Sequence, residues 1–411
     1  MTEFKMAVAN GRSIPKEDKI FGINRRATEL AEKIGAENVV NATIGALLDD
    51  DGKLMVLSSV DDVYRSLAPD EYAAYAPIGG TPAFRQAAIK AALGNYEPKG
   101  FVRAAATPGG TGAIRNTIAN YSEPGDSVLT ADLFWSPYGT IAGEIGRHVE
   151  TFPFFTEDRK FHIKAFDAKI KDILERQDRV VVIINTPAHN PTGYALTDSD
   201  WHEIKDSVSS ISPGKKVILL VDAAYIDFAG DEDEYRQFLP ILEEFPENVL
   251  PLIAYSMSKT FTLYGMRCGA LICMAKTEDV AEEFIRVCEY SSRGTWSNCA
   301  KAGQSIIVKI FADDNLRNHV SHERKEIRDM LLRRGRAFEE AAAEVGLVTV
   351  PFDAGFFVSI PCDNPDEVSE KLEEDGIFVV PLAKGVRVSI ASVSEKACRM
   401  IPAKLKAALE A

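Results

Sequence analysis

The chain is 411 residues long, 46% hydrophobic and 26% charged, the composition of a folded protein with a large core and room for two domains. Its formal net charge of −14 argues against nucleic acid or an anionic membrane surface as the main partner, although a local arginine cluster can still hold a small anion. No run of about 18 apolar residues occurs, so no membrane-spanning helix is expected.

In chain order, residues 1–40 read as a mixed arm and a helix around Gly22–Gly35, and Met1–Lys16 lacks the apolar core of a secretory signal. Asn41–Gly45 reads as a short strand ending at a glycine, and Asp49–Gly52 as a turn. Tyr75-Ala-Pro-Ile-Gly79-Gly80 leads into a helix carrying Pro82, Phe84 and Arg85. A strand at Phe101–Ala106 then runs into Pro108-Gly109-Gly110-Thr111-Gly112, with a helix beginning near Thr111. Bare N–H groups at such a helix start, with the positive end of its dipole, suit a phosphate. Val128–Asp132 is a further strand, and Trp135 follows it closely. A tryptophan just beyond a strand end is placed to stack on a planar ring.

Val180–Ile184 is apolar and β-branched, the pattern of a buried parallel strand. It ends in Ala188-His189-Asn190-Pro191-Thr192-Gly193, where proline and glycine fix a turn and leave Asn190 aimed outward. Lys216–Val221 is a second such strand and ends at Asp222-Ala-Ala-Tyr225. A carboxylate at that point is costly unless a cation answers it. Asp231–Glu234 reads as a solvated loop. Pro251–Tyr255 is a third buried strand, broken by Ser256-Met257-Ser258-Lys259, with another apolar run starting at Gly269. Lys259 at a strand end loses hydration, which lowers its pKa and makes the neutral amine available as a nucleophile. The hydroxyls of Ser256 and Ser258 and the fork of Arg267 are donors that fit a phosphate.

Arg293-Gly-Thr-Trp296-Ser297-Asn298 precedes a helical, charged stretch that reaches Val345 and includes a long helix linking the domains. His319 and His322 have a metal-like spacing within it, but a solvated helix face is the expected reading, with no metal. The last hundred residues alternate strands near Leu347–Val350, Gly355–Ile360, Ile377–Pro381 and Arg387–Ala391 with helices Asp366–Asp375 and Glu395–Leu409. Arg387, between Val386 and Val388 on a strand, needs a carboxylate. The six cysteines form no C-x-x-C pair and are expected to be reduced and mostly buried, in a cytoplasmic protein.

Taken singly, these strings have plainer readings: a surface loop for S-x-S-K, a turn for N-P-T-G, a helix cap for Asp222. Together, in this order and over nearly the whole chain, they resemble the fold-type I pyridoxal-phosphate aminotransferases, in the aspartate and aromatic branch. The resemblance rests on S-K-x-x-x-L-Y-G-x-R-x-G from Ser258, A-H-N-P-T-G from Ala188, D-A-A-Y from Asp222, Y-x-P-I-G-G from Tyr75 and R-x-x-x-S-N from Arg293. It implies an α/β fold whose large domain has a mostly parallel central sheet, with a small α/β domain built from both termini. The expected boundaries are 1–50 for the arm and part of the small domain, 51–300 for the large domain and 301–411 for the rest of the small one.

The resemblance also implies roles. Lys259 would bind the cofactor pyridoxal 5'-phosphate covalently and carry protons, Asp222 would answer its ring N–H, and Asn190 and Tyr225 would reach its phenolic oxygen. Gly110, Thr111, Ser256, Ser258 and Arg267 would hold the phosphate, joined by Tyr75 from a second subunit, and Trp135 would cover the ring. Arg387 would grip the substrate's α-carboxylate beside Gly45. Arg293 would enter the neighbour's site and take a side-chain carboxylate. The family has Ser or Thr where Gly109 stands, so one hydroxyl donor is lost. The expected partners are an amino acid, a 2-oxo acid and a second copy in a homodimer, with an aspartate-like donor. An aromatic donor served by Trp296, or a lyase of the same fold, is the alternative. A regulator on this fold is disfavoured, because the acidic chain leaves no room for a DNA-binding domain.

Overall fold

The computed structural model describes residues 5–8, 18–231 and 233–410, so most of the expected N-terminal arm and one residue of the acidic loop lie outside the described residues. Its strands are β1 (Val40–Asn41), β2 (Phe101–Thr107), β3 (Ser127–Ala131), β4 (His148–Phe152), β5 (Arg179–Asn185), β6 (Lys216–Asp222), β7 (Val249–Ser256), β8 (Gly269–Ala275), β9 (Phe357–Pro361), β10 (Ile377–Phe378), β11 (Val380–Leu382) and β12 (Gly385–Ser389). The chain divides into two units, one of residues 56–187 and 196–324, the other of residues 1–55, 188–195 and 325–411.

In the larger unit, the apolar runs form a sheet in the order β2-β8-β7-β6-β5-β3-β4. The pairs from β4 through β7 are parallel, whereas β8 runs antiparallel to both β7 and β2. Parallel strands are buried on both faces, which is why β5, β6 and β7 read as nearly unbroken aliphatic sequence. Ile114 and Ile118 of helix Gly109–Tyr121 and Phe284 and Cys288 of helix Glu278–Thr295 pack on Val181, Ile183, Ile218, Leu220 and Leu252.

Register then decides which chain ends meet. Asn185 pairs with Asp222, and Asp222 with Ala254. Because β8 is reversed, its first residue, Gly269, pairs with both Ser256 and Thr107. One edge of the sheet therefore gathers the ends of β5, β6, β7 and β2, the edge where open α/β sheets bind ligands.

In the smaller unit, β12 lies between β11 and β9 in an antiparallel sheet, and β1 pairs with β10. Val358, Ile360, Val386 and Val388 join Phe338, Leu372, Cys398 and Leu405 in its core. Alternation along β12 turns Arg387 to the opposite face from Val386 and Val388. Helix Asp314–Glu344 contributes its first part to the larger unit and the rest to the smaller.

Two expected strands are corrected. The strand expected at Asn41–Gly45 is instead Val40–Asn41: Ala42 still donates to the Phe378 carbonyl at 2.9 Å, but Asn41 Oδ1 accepts from the N–H of Thr43 at 3.3 Å and from its hydroxyl, a local turn that ends the ladder. Leu347–Val350 is irregular: Val350 donates one backbone bond to Ser359 at 2.8 Å, and Pro351 next to it has no N–H with which to continue. His319 and His322 are exposed, and among the described residues no group of three or more His, Cys, Asp or Glu could hold a metal. Five of the six free cysteines are buried, with Cys362 intermediate. Among the described residues, no helix is long and apolar enough to cross a membrane.

Candidate active site

The larger unit carries one cluster along the gathered sheet edge. β7 ends at Ser256, and the chain turns through the short helix Met257–Thr260 and a 3-10 turn before β8. Lys259 lies in this turn with Nζ 5.3 Å from the centre of the Tyr225 ring. Its ammonium is pulled down to about 8, first by burial, with Arg267 adding to the effect and Asp222 opposing it. A lysine in that state supplies a neutral amine near physiological pH.

Asp222 ends β6 and is 5% exposed. Its Oδ2 accepts from the Tyr138 hydroxyl at 2.6 Å, and its main-chain oxygen accepts from Asn185 Nδ2 at 2.7 Å. Burial raises its pKa, against the Tyr138 bond, the charge of Lys259 and the backbone at Ala224. Among the described residues, its buried Oδ1 has no hydrogen-bond partner. A buried acceptor left so is expensive, and a cationic N–H is the group that would satisfy it.

A second set of donors surrounds the start of helix Gly109–Tyr121, where no side chain caps the first N–H groups. Ser256 borders Gly110, since a Cβ built on that glycine would lie 3.4 Å from Ser256 Cβ. Arg267 Nη1 donates to Ser258 Oγ at 3.1 Å and to the Tyr264 carbonyl at 3.0 Å. Gly109 has φ +71°, and a Cβ there would lie 2.6 Å from Arg267 Nη2. Side chains rarely adopt that φ, so glycine suits this turn, and the Arg267 guanidinium lies against it. Arg267 itself is held in the left-handed region at φ 48°, a strained backbone of the kind that clusters at functional sites. Gly110, Ser256, Ser258 and Arg267 are thus gathered at this helix start, which Thr111 also belongs to, with donors of the kind that could hold an anion of phosphate size. Trp135 is half-buried and meets Tyr138 edge-on at 5.6 Å.

The smaller unit carries the other expected residues. Arg387 is 4% exposed, donates from Nη1 to Asn190 Oδ1 at 3.2 Å and from Nη2 to the Thr43 carbonyl at 2.7 Å, and lies 4.3 Å from the Phe357 ring centre. Gly45 touches the same ring, for a Cβ there would meet Phe357 at 2.7 Å. Gly193, at φ +81°, lets the N-P-T-G turn close against Phe352, where a Cβ would lie 2.2 Å from the ring.

Tyr75 and Arg293 stand apart. Tyr75 is 91% exposed, and Arg293 is exposed at the end of helix Glu278–Thr295 with Nη1 on Ser297 Oγ at 2.7 Å. Their segments are tied by Asn298 Nδ2, which donates to the Ala76 carbonyl at 3.0 Å. Tyr138, Asn185 and Phe357 were absent from the expected site. Tyr138 lies three residues beyond Trp135 and Phe357 in a plain apolar string, and no local signal marked either.

The lysine, the orphaned Asp222 oxygen and the anion cradle fit the amine-reactive carbonyl, ring nitrogen and phosphate of pyridoxal phosphate. Comparison with known proteins agrees. Residues 37–405 match the family described as aminotransferase class I and II. The crystal structure of an aminotransferase from Anaerococcus prevotii superposes with a TM-score of 0.96 at 37% identity, covering 99% of this chain and 100% of that one. The aspartate aminotransferase of Escherichia coli is 28% identical over 366 residues, 86% of this chain and 89% of that protein. The aromatic-amino-acid aminotransferase of Pseudomonas aeruginosa is 27% identical over 348 residues, 82% and 84% of the two chains. A Burkholderia pseudomallei aromatic-amino-acid aminotransferase covalently bound to pyridoxal phosphate shares the fold at a TM-score of 0.81 and 22% identity, covering 98% of this chain and 100% of that one. The chain belongs to the aminotransferase class I and II family, and its cofactor is pyridoxal phosphate.

Proposed function

We propose that this aminotransferase moves the α-amino group of an acidic, aspartate-like amino acid to a 2-oxo acid in two half-reactions. The observation that carries the chemistry is the pairing of Lys259, lowered to about 8, with the unsatisfied buried Oδ1 of Asp222. Pyridoxal phosphate, when bound, supplies the electron sink for charge left at the substrate's α-carbon. Lys259 Nζ takes the proton from that carbon and returns one as general base and acid. Asp222 answers the ring N–H, while Asn190 and Tyr225 serve the phenolic oxygen. Gly110, Thr111, Ser256, Ser258 and Arg267 hold the phosphate. Arg387, oriented by Asn190 and Phe357, binds the α-carboxylate next to Gly45.

We further propose a cytoplasmic homodimer, in which Tyr75 reaches the partner's phosphate and Arg293 the partner's substrate. Tyr75 and Tyr290 are exposed (91% and 85%), as is Arg293 one helical turn beyond Tyr290, and exposed aromatic residues and arginine are what interfaces favour. Names of relatives cover both aspartate and aromatic donors, so the donor is read from Arg293. Removing one member of a charge-assisted pair costs about 2–5 kcal/mol, or roughly 30- to 4000-fold. Arg293→Ala, assayed with a donor series against 2-oxoglutarate, should therefore lower kcat/KM for aspartate and glutamate at least tens-fold and for aromatic donors far less. Equal losses in both classes would exclude this role and leave the aromatic reading, with Trp296 as its contact.

A further inference from the structure

Thr262 is a buried, β-branched residue held in the left-handed region at φ 52°, a conformation such side chains avoid and one that persists only where the surroundings impose it. It follows Lys259 closely, and its N–H donates to the Lys259 carbonyl at 2.9 Å. Its hydroxyl accepts from the N–H of Leu57 at 3.0 Å and donates to the Phe261 carbonyl at 2.8 Å. Leu57 caps helix Ser58–Arg65, whose start is held in turn by Glu323. That carboxylate accepts from the Ser58 N–H at 2.8 Å and from the hydroxyls of Ser58 and Ser59. The residues between Lys259 and Thr262 are gripped as well. Thr260 donates from its hydroxyl to Asp227 Oδ2 at 2.8 Å, and the Tyr255 hydroxyl reaches the same oxygen at 2.7 Å, so one oxygen ties the chain on both sides of the lysine. The Phe261 ring centre lies 5.6 Å from the guanidinium of Arg324, the neighbour of Glu323 in helix Asp314–Glu344.

We propose that Thr260 and Thr262 are positioning residues that clamp the main chain of Lys259, so that its amine returns to one place each time it is freed from the cofactor. The proposal rests on the role given above for Lys259. A lysine side chain is long and turns freely, so the reach of Nζ is fixed by the main chain that carries it. Helix Met257–Thr260 has four residues, too few to be stable by itself. Its order comes from the contacts around it. A glycine at 262 would meet the same φ without strain, as Gly109 does at +71°. What glycine lacks is the hydroxyl, and here that hydroxyl both accepts and donates. Asp227 also follows Tyr225 by two residues, so the carboxylate that holds Thr260 fastens the segment whose ring lies 5.3 Å from Nζ. In this setting burial holds the Lys259 ammonium down at about 8. A main chain free to shift lets Nζ reach water, which raises that value towards the ordinary 10.5.

The test compares Thr262→Gly, Thr262→Ser and Thr260→Val in the full chain. The readouts are kcat and KM of the loaded enzyme, the pH profile of covalent capture of pyridoxal phosphate by cofactor-free protein, and the urea midpoint. Thr262→Gly removes the strain and the anchor together. It should lower kcat roughly 10- to 100-fold with KM nearly unchanged, and its capture rate should level off at a higher pH than that of wild type. Thr260→Val keeps the side-chain shape but loses the donor to Asp227, and should shift both readouts in the same direction. Thr262→Ser keeps the hydroxyl and should restore the rate and the wild-type profile. A Thr262→Gly enzyme with wild-type kcat and capture profile overturns the proposal whatever its urea midpoint, since Thr262 is then a structural anchor alone. A serine variant as impaired as the glycine variant overturns it too, because the hydroxyl is then not the group at work. Should the glycine variant fail to fold, Thr260→Val and Thr262→Ser decide by the same readouts. Wild-type protein that captures no pyridoxal phosphate, or captures it on another lysine, overturns instead the reading of Lys259 itself.

Discussion

The guanidinium of Arg387 lies 4.3 Å from the centre of the Phe357 ring. The pair sits on adjacent antiparallel strands, with Arg387 paired to Ser359 and Ser389 to Phe357. Stacking holds the planar fork while Asn190 and the Thr43 carbonyl set its rotation. A lysine has neither plane nor fork. Arg387→Lys should cut kcat/KM at least tens-fold, and equally for every amino acid, since all share the α-carboxylate. Phe357→Leu should cost about 0.5–2 kcal/mol of cation–π contact, roughly 2- to 30-fold, chiefly in KM. A loss confined to one donor class would move Arg387 from the α-carboxylate to the side chain.

Shared sites predict complementation between subunits. An Arg293→Ala chain and a Lys259→Ala chain should each be nearly inactive with aspartate, yet their mixed dimer has one site in which both residues are intact. Activity should return towards about half per dimer once subunits have exchanged. Mixed dimers verified by mass that stay inactive would show that Arg293 does not work in trans.

Stability beneath the lysine turn depends on Asp227. It is buried, with Oδ1 accepting from Arg236 at 2.6 Å and Oδ2 from the Tyr255 and Thr260 hydroxyls at 2.7 and 2.8 Å. Arg324 adds an ion pair at 3.5 Å. Burial works against the ionised form, but Arg236 and Arg324 outweigh it and hold the carboxyl down at about 2. Because this folded value is below the ordinary 3.8, the stabilisation is complete above that pH and fades as pH falls towards 2. Asp227→Asn should lower unfolding free energy by about 3–5 kcal/mol at neutral pH, because two buried guanidiniums lose their anion. The urea midpoint measures it, and the gap to wild type should narrow in acid. A loss below about 1 kcal/mol would mean that the network contributes little.

Much of the sheet-edge half of the candidate site was legible because parallel strands leave a plain signature: an aliphatic run cut off by a polar residue. Asp222 after Val221 and Lys259 after Tyr255 both carry it. Arg387 was legible for the converse reason, a charge set between two valines. Tyr138 and Phe357 were not, since their contacts with Asp222 and Arg387 span 84 and 30 residues of chain that no local period records. Gly109 was read as a lost donor, and the sequence did not show that its backbone sits at φ +71°, a conformation that side chains rarely adopt. Leu347–Val350 had strand composition, but Pro351 ended the ladder before it began.

The most direct test of the account is the covalent capture of pyridoxal phosphate by Lys259. Cofactor-free protein mixed with pyridoxal phosphate should turn yellow, and borohydride reduction followed by peptide mass analysis should find the adduct on Lys259 alone. The capture rate should rise with pH and level off above about 8, since the ammonium that must lose its proton is held down at that value. Lys259→Ala should keep bound cofactor, form no reducible adduct and lose transamination. A wild-type protein that gains no visible absorbance with pyridoxal phosphate, or an adduct on another lysine with Lys259→Ala still active, would contradict the account.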